Sequence, residues 1–238
     1  MNDASEFNYG VKMLRLIASG RFEQSAEVGF DQRVLGRLAV TTRAIPNADL
    51  YFTSFCAKGD LLSQWRGYGG QDSRYCLEFD PAGFEPAVSD VAGIFPVIYN
   101  DHKQRALLSR VLDKHLNVIP DGDPDDVYKS VKCVHSCCLA AFAFLKDPAF
   151  EEEHEWRAVL FAWPGEHVGR LEFVNSAGIM KPCIPLLVGR SKRLLPLKRV
   201  IAGASRSISQ SSRSAELMLA RYGYSNVPVE PSRIPLSG

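Results

Sequence analysis

Apolar residues recur along this chain with two periods, and the period changes often. Asn2 or Asp3 with Glu6 forms a capping-box pattern, so a helix is predicted through Val11, Leu14, Leu16 and Ile17 to a stop at Ser19-Gly20. Tyr51 to Cys56 is dense in aromatic and β-branched residues and reads as a buried strand. Asp60 is positioned to cap a short helix carrying Leu61, Leu62 and Trp65, with breaks at Gly67 and Gly69-Gly70. From Arg74 to Asp80 the polarity alternates, with Tyr75, Leu77 and Phe79 against Cys76, Glu78 and Asp80. That is a half-buried strand stopped by Pro81.

Ile94 to Tyr99 is strand-like and leads to a helix capped by Asn100 or Asp101, with Leu107, Leu108, Val111, Leu112 and Leu116 on its apolar face. After a turn-rich acidic segment, Pro120 to Asp126, a longer helix is predicted from about Val127 to Lys146, ended by Asp147-Pro148. A glutamate-rich strand and a Pro164-Gly165 turn follow. Strand signals recur at Val168 to Phe173, Ile184 to Val188 and Val200 to Ala202. Ser214 or its neighbour opens a last helix through Leu217, Leu219 and Tyr222, stopped by Gly223, and the tail from Val227 to Pro235 is extended. Strands and helices mix without a βαβ rhythm or an internal repeat. The expectation is an α+β fold: a mixed, largely antiparallel sheet with several packed helices, in a single domain over residues 1–238.

The stretch Glu151-Glu152-Glu153-His154-Glu155-Trp156-Arg157 runs carboxylates straight into the apolar segment Ala158 to Trp163. If the strand begins near Glu153, its period of two puts Glu153, Glu155 and Arg157 on one face, with Trp156 turned toward a helix-covered core. Two carboxylates roughly 7 Å apart beside a guanidinium suit acid/base or cation-stabilising chemistry. The structural account of the same residues is a charged strand start whose Glu155 pairs with Arg157 or with a neighbour across the sheet.

Composition narrows the function classes. With 46% hydrophobic and 23% charged residues the chain can bury a full core. A net charge of +1 gives no general pull toward nucleic acid. The run Arg190-Ser191-Lys192-Arg193, with Lys198 and Arg199, lacks interleaved aromatics and reads as a solvated loop. The polar, acidic start is unlike a signal peptide, and no apolar run is long enough to span a bilayer, so a cytoplasmic protein with no membrane partner is expected. Cys133, Cys137 and Cys138 cluster with His135, but no second ligand pair accompanies them. Reduced thiols are expected, Cys133 and Cys137 sharing a buried face, with no metal site. The five histidines are scattered, and His154 is expected opposite Glu153 and Glu155. Dinucleotide and phosphate-loop glycine motifs, a Gly-x-Ser-x-Gly elbow and His-Glu-x-x-His are all absent from the sequence.

Several islands in fixed order resemble a bacterial family called domain of unknown function twenty-nine seventy-one. They are Met1-Asn2-Asp3 with Glu6; Ser54-Phe55; Trp65 with Tyr68-Gly69; Leu77-Glu78-Phe79; Lys146 through Phe150 into Glu153-x-Glu155-Trp156-Arg157; Ile201-x-Gly203; and Ser232-Arg233-Ile234-Pro235. The resemblance covers nearly the whole chain. Members usually carry sequence ahead of the Asn-Asp motif, including an early strand, so either the gene start lies upstream or this is a shortened member. A sheet edge left uncovered in that way is expected to favour self-association.

The order of features is also similar to that of ADP-ribosyltransferases, which place an Arg or His on an early strand, a Ser/Thr-bearing strand next and a catalytic Glu in a late Glu-x-Glu element; the first of these would fall in the early strand that this chain lacks. Thr53-Ser54 and Glu153-His154-Glu155 stand in those places. The resemblance implies Glu155 and Glu153 as catalytic groups and Ser54, Trp65, Tyr68 and Arg157 as substrate-binding residues. It implies a small nucleotide as partner and NAD as cofactor, with Trp65 and Tyr68 stacking on its rings. Trp65 and Tyr68 also fit a plug at a helix end. Two functions follow: a nucleotide- or NAD-using transferase, or a non-catalytic interaction module, for instance of a phage-defence or stress locus.

Overall fold

The computed structural model describes residues 4–24, 30–40, 49–68, 74–83, 91–116, 124–162, 167–176, 178–186, 194–203 and 207–234. In chain order the elements are α1 (Ala4–Gln24), α2 (Phe30–Val40), β1 (Asp49–Cys56), α3 (Leu62–Tyr68), β2 (Tyr75–Phe79), β3 (Val91–Pro96), α4 (Asp101–Leu116), α5 (Pro124–Phe142), β4 (Glu155–Ala162), β5 (Glu172–Ser176), β6 (Ile179–Cys183), β7 (Leu197–Ala202), α6 (Ile208–Arg221) and β8 (Val229–Pro231). Single 3-10 turns lie at Pro81–Gly83, Pro148–Glu153 and Val168–Arg170. The fold is α+β. The chain divides into two compact units, Met1–Phe55 with Asp90–Pro185, and Cys56–Ser89 with Leu186–Gly238.

In the first unit a helical core forms because apolar positions fall on one stripe of each helix. On α5 these are Val127, Val131, Val134, Cys138, Ala141 and Phe142; on α4, Leu108, Leu112 and Leu116. Val11, Leu14 and Ala18 of α1 and Val34, Leu35 and Leu38 of α2 complete the core. Asn100 caps α4, its Oδ1 accepting from the Lys103 amide at 3.0 Å. A three-stranded sheet in the order β1-β4-β3 carries a smaller cluster, Leu50, Ala143 and Val159 flanked by Phe52 and Phe144. β3 and β4 are antiparallel, with Phe95 opposite Arg157 and Pro96 opposite Trp156. β5 and β6 form a two-stranded antiparallel ribbon.

The second unit is built on a sheet in the order β2-β7-β8, β2 antiparallel and β8 parallel to β7. Asp60 closes it: its carboxylate accepts from the Trp65 indole at 2.7 Å, the Ser232 hydroxyl at 2.6 Å and the Arg233 amide at 2.8 Å. Trp65 is only 4% exposed. Arg199 joins all three strands by pairing with Glu78 on one side and with Glu230 at 2.8 Å on the other.

Several predicted elements differ. α1 passes Ser19-Gly20 and runs to Gln24, because propensity costs at one glycine are small beside a packed helix face, and Leu16 lies on its exposed side. β1 is half-buried, with Thr53 and Ser54 exposed. On β2 the outward face is the apolar one, with Tyr75 and Leu77 exposed while Cys76 and Glu78 turn partly inward. α5 starts before Val127 and ends at Phe142, short of Lys146. Val168 opens a 3-10 turn ahead of β5, Ile184 follows β6 outside any strand, and Ser214 lies inside α6. Asn2 and Asp3, Gly69-Gly70, residues 117–123, Pro164-Gly165 and Arg190 to Arg193 lie outside the described residues.

Candidate functional site

Glu155 is the first residue of β4, the central strand of its sheet, and Arg157 follows on the same face by the period of two. Both are buried, at 6% and 2% exposure. Arg157 grips the carboxylate with two bonds, Nε to Oε1 at 2.6 Å and Nη2 to Oε2 at 2.9 Å, a geometry that matches the guanidinium fork. Its Nη1 donates to the Ala143 carbonyl at 2.8 Å, and the guanidinium carbon lies 4.5 Å from the centre of the Phe52 ring. Glu155 Oε1 also accepts from the exposed Ser54 hydroxyl of β1, and Oε2 from Lys146 Nζ at 2.9 Å. The contacts Ser54 to Glu155 and Phe52 to Arg157 step in opposite directions along β1 and β4.

Four hydrogen bonds therefore fill the carboxylate. Burial alone would raise its pKa, but the Arg157 guanidinium, the Ser54 hydroxyl and Lys146 together hold Glu155 below the usual carboxylate range. The backbone is fixed as well, the Glu155 amide donating to the Tyr99 hydroxyl at 3.0 Å and its carbonyl accepting from the Val97 amide at 2.9 Å.

Glu153 reaches the group by another route than the one predicted. It ends the 3-10 turn Pro148–Glu153, outside the strand. Asp147 caps this turn, accepting from the Ala149 amide at 2.9 Å, and His154 leaves it in the left-handed region with φ of 44°. The expectation of one strand face for Glu153, Glu155 and Arg157, with His154 opposite, is corrected accordingly. Glu153 instead pairs with Lys146 Nζ at 2.6 Å, so one buried ammonium bridges both carboxylates. Two cations and two anions balance the charge.

Sequence reasoning missed Lys146, which it read as a helix end. It also missed the support beneath it. The wholly buried Gln104 donates its amide to the carbonyls of Ile98 at 2.5 Å and Lys146 at 2.7 Å, and accepts from the Tyr9 hydroxyl at 2.8 Å. The ring of Phe150 lies 5.2 Å from Lys146 Nζ. No spacing rule links Tyr9, Gln104 and Lys146. The one available signal was a glutamine on the apolar side of α4, among Leu108, Leu112 and Leu116.

Of the predicted site residues, Ser54, Glu153, Glu155 and Arg157 come together in the first unit. Trp65 and Tyr68 belong to α3 of the second; Trp65 is a buried plug bound to Asp60, while Tyr68 is 75% exposed. Trp156, expected in a helix-covered core, is 40% exposed beside the exposed Pro96. Cys133 and Cys137 do not share a buried face: Cys133 is exposed, Cys137 half-buried, and the buried thiol is Cys138. Among the described residues no group of three or more His, Cys, Asp or Glu is arranged to hold a metal ion. No helix among them is long and apolar enough to cross a membrane.

Residues 64–158 match the model of a family described as "Protein of unknown function (DUF2971)", the family that the motif order resembles. The matched segment contains Lys146, Glu153, Glu155 and Arg157 and ends just beyond them; Ser54 precedes it. No curated protein and no solved structure matches the chain.

Proposed function

We propose that this chain is a nucleotide-using transferase that takes NAD and works in the manner of ADP-ribosyltransferases, with Glu155 as the carboxylate at the reacting ribose. The observation that carries the reading is the hydrogen bond from Ser54 to Glu155, between side chains 101 residues apart. It joins the early hydroxyl-bearing strand to the late Glu-x-Glu element, the two features whose order resembles that of ADP-ribosyltransferases. As the bond from the ribose to nicotinamide breaks, its electron pair leaves with nicotinamide and positive charge grows on the ribose. A fixed carboxylate beside that centre lowers the barrier. Arg157 and Lys146 keep Glu155 ionised, and Ser54 forms its exposed edge. Glu153, less buried, takes the proton of the incoming acceptor. A cytoplasmic setting supplies NAD.

The test is release of nicotinamide from NAD by the purified protein, together with calorimetric binding of NAD and ADP-ribose. Ser54→Ala removes a hydrogen bond to a charged group worth about 1.5–3 kcal/mol from an exposed position, so turnover should fall about tenfold or more with the fold intact. Absence of both binding and release would overturn the proposal.

A non-catalytic interaction module is the second reading. It is favoured by the filling of every acceptor position of Glu155 by Arg157, Lys146 and Ser54. Under that reading the four charges lock β4 to the segment that follows α5 and catalyse nothing.

A further inference from the structure

The α5 helix carries a second chemical feature that the charged group does not use. Cys133 and Cys137 are four residues apart on it, so they lie one turn apart on the same side. Cysteine is among the residues most often buried, yet Cys133 is exposed and Cys137 only half-buried. Burial and, after it, the neighbouring Cys133 raise the Cys137 thiol above its ordinary range. Lys129 and Lys132 are exposed on the same helix, and the positive charge of Lys114 only partly offsets that rise. The neighbouring Cys138 is different: it packs into the core, and burial pushes its thiol up to about 12.

Spacing decides what such a pair can hold. Residues four apart on a helix have Cβ atoms about 5–6 Å apart, whereas a disulfide needs about 3.5–4.5 Å. Direct oxidation to a disulfide would require the helix to deform. Zinc wants four ligands, and no third ligand joins the pair among the described residues. A single soft centre that takes two thiolates spans the gap without deforming the helix.

We propose that Cys133 and Cys137 form a two-thiolate site for one thiophilic centre, trivalent arsenic or monovalent copper, on the exposed side of α5. The inference is independent of the NAD reading. With phenylarsine oxide as probe, two As–S bonds form, the two thiol protons leave with the arsenic-bound oxygen as one water, and no atom changes oxidation state.

The experiment is native mass spectrometry of the whole chain with one equivalent of phenylarsine oxide. A parallel titration uses monovalent copper held by a competing chelator. One arsenical adduct is expected, lost in both Cys133→Ser and Cys137→Ser and kept in Cys56→Ser, Cys76→Ser and Cys183→Ser. Far-ultraviolet circular dichroism checks that α5 persists in each variant. Copper taken from the chelator by the same two residues would identify copper as the centre; retention by the chelator would identify the arsenical. No adduct in the unaltered chain, or an adduct that survives either serine substitution, would overturn the site.

Discussion

Glu155 and Arg157 are two positions apart on β4, and that spacing alone brings carboxylate and guanidinium to one face. This much was legible in the sequence. What was not legible is how completely the pair is enclosed, since Lys146 arrives from beyond α5 and Ser54 from β1. Glu155→Gln keeps the volume but leaves the ammonium of Lys146 and the guanidinium of Arg157 with one fewer anion. A buried pair broken in this way costs about 3–5 kcal/mol, so a marked fall in urea midpoint is expected. A Glu155→Gln protein of unaltered stability would show that the carboxylate is not holding the strand. Tyr9→Phe asks less of the fold, removing only the hydroxyl that orients Gln104. A loss of about 1 kcal/mol is expected, read by the same titration. Trp156 went astray at this scale for a plain reason: alternation fixes which residues face opposite ways, not which face is covered.

Among the elements, periodicity located α4 closely, because Asn100 caps it and its leucines keep one stripe. It misplaced the end of α1, where packing outweighs a local stop signal, and the end of α5, which closes at Phe142 ahead of the Asp147-Pro148 signal. The 3-10 turn Pro148–Glu153 was invisible, since six residues are too few for a period to declare itself. Two glycines test the packing of elements directly. A methyl group on Gly10 of α1 would lie 2.5 Å from the Phe142 ring of α5, with the ring's Cγ and Cβ also at 3.0 Å or less. The stem of a buried side chain cannot swing away, so Gly10→Ala should cost about 1–3 kcal/mol despite alanine's better helix propensity. Gly223 follows α6 with φ of 87°, a conformation that an L side chain resists. Gly223→Ala should therefore lose about 1 kcal/mol, and thermal melting that left either variant unchanged would contradict the packing described.

At the scale of the whole molecule, the α+β class was readable from the irregular order of strands and helices, whereas the partition into two units was not, because each unit is assembled from segments distant in sequence. Both units nonetheless carry carboxyls held below their ordinary range. Glu155 does so in the first, burial being outweighed by Arg157, Ser54 and Lys146; in the second, Glu78 is lowered by Arg199, while Asp60 is lowered by Ser232, Arg233 and Trp65 against the cost of burial. A carboxyl whose folded pKa lies below its unfolded value contributes its full stabilisation above the unfolded value and loses it as pH falls through the folded one. Stability should thus decline below about pH 4. Glu78 and Asp60 are less deeply buried and are screened by solvent, so the steepest share belongs to Glu155. At the other end, burial raises the Cys138 thiol to about 12. A raised thiol contributes fully below its ordinary value and loses that contribution as pH climbs toward the folded one. The urea midpoint measured across pH should therefore form a plateau that falls at both ends. Glu155→Gln should lower the plateau and flatten its acid side, and Cys138→Ala should flatten the alkaline side alone. An acid limb that kept its slope in Glu155→Gln would mean that other carboxyls govern acid unfolding and that the depression of Glu155 does not.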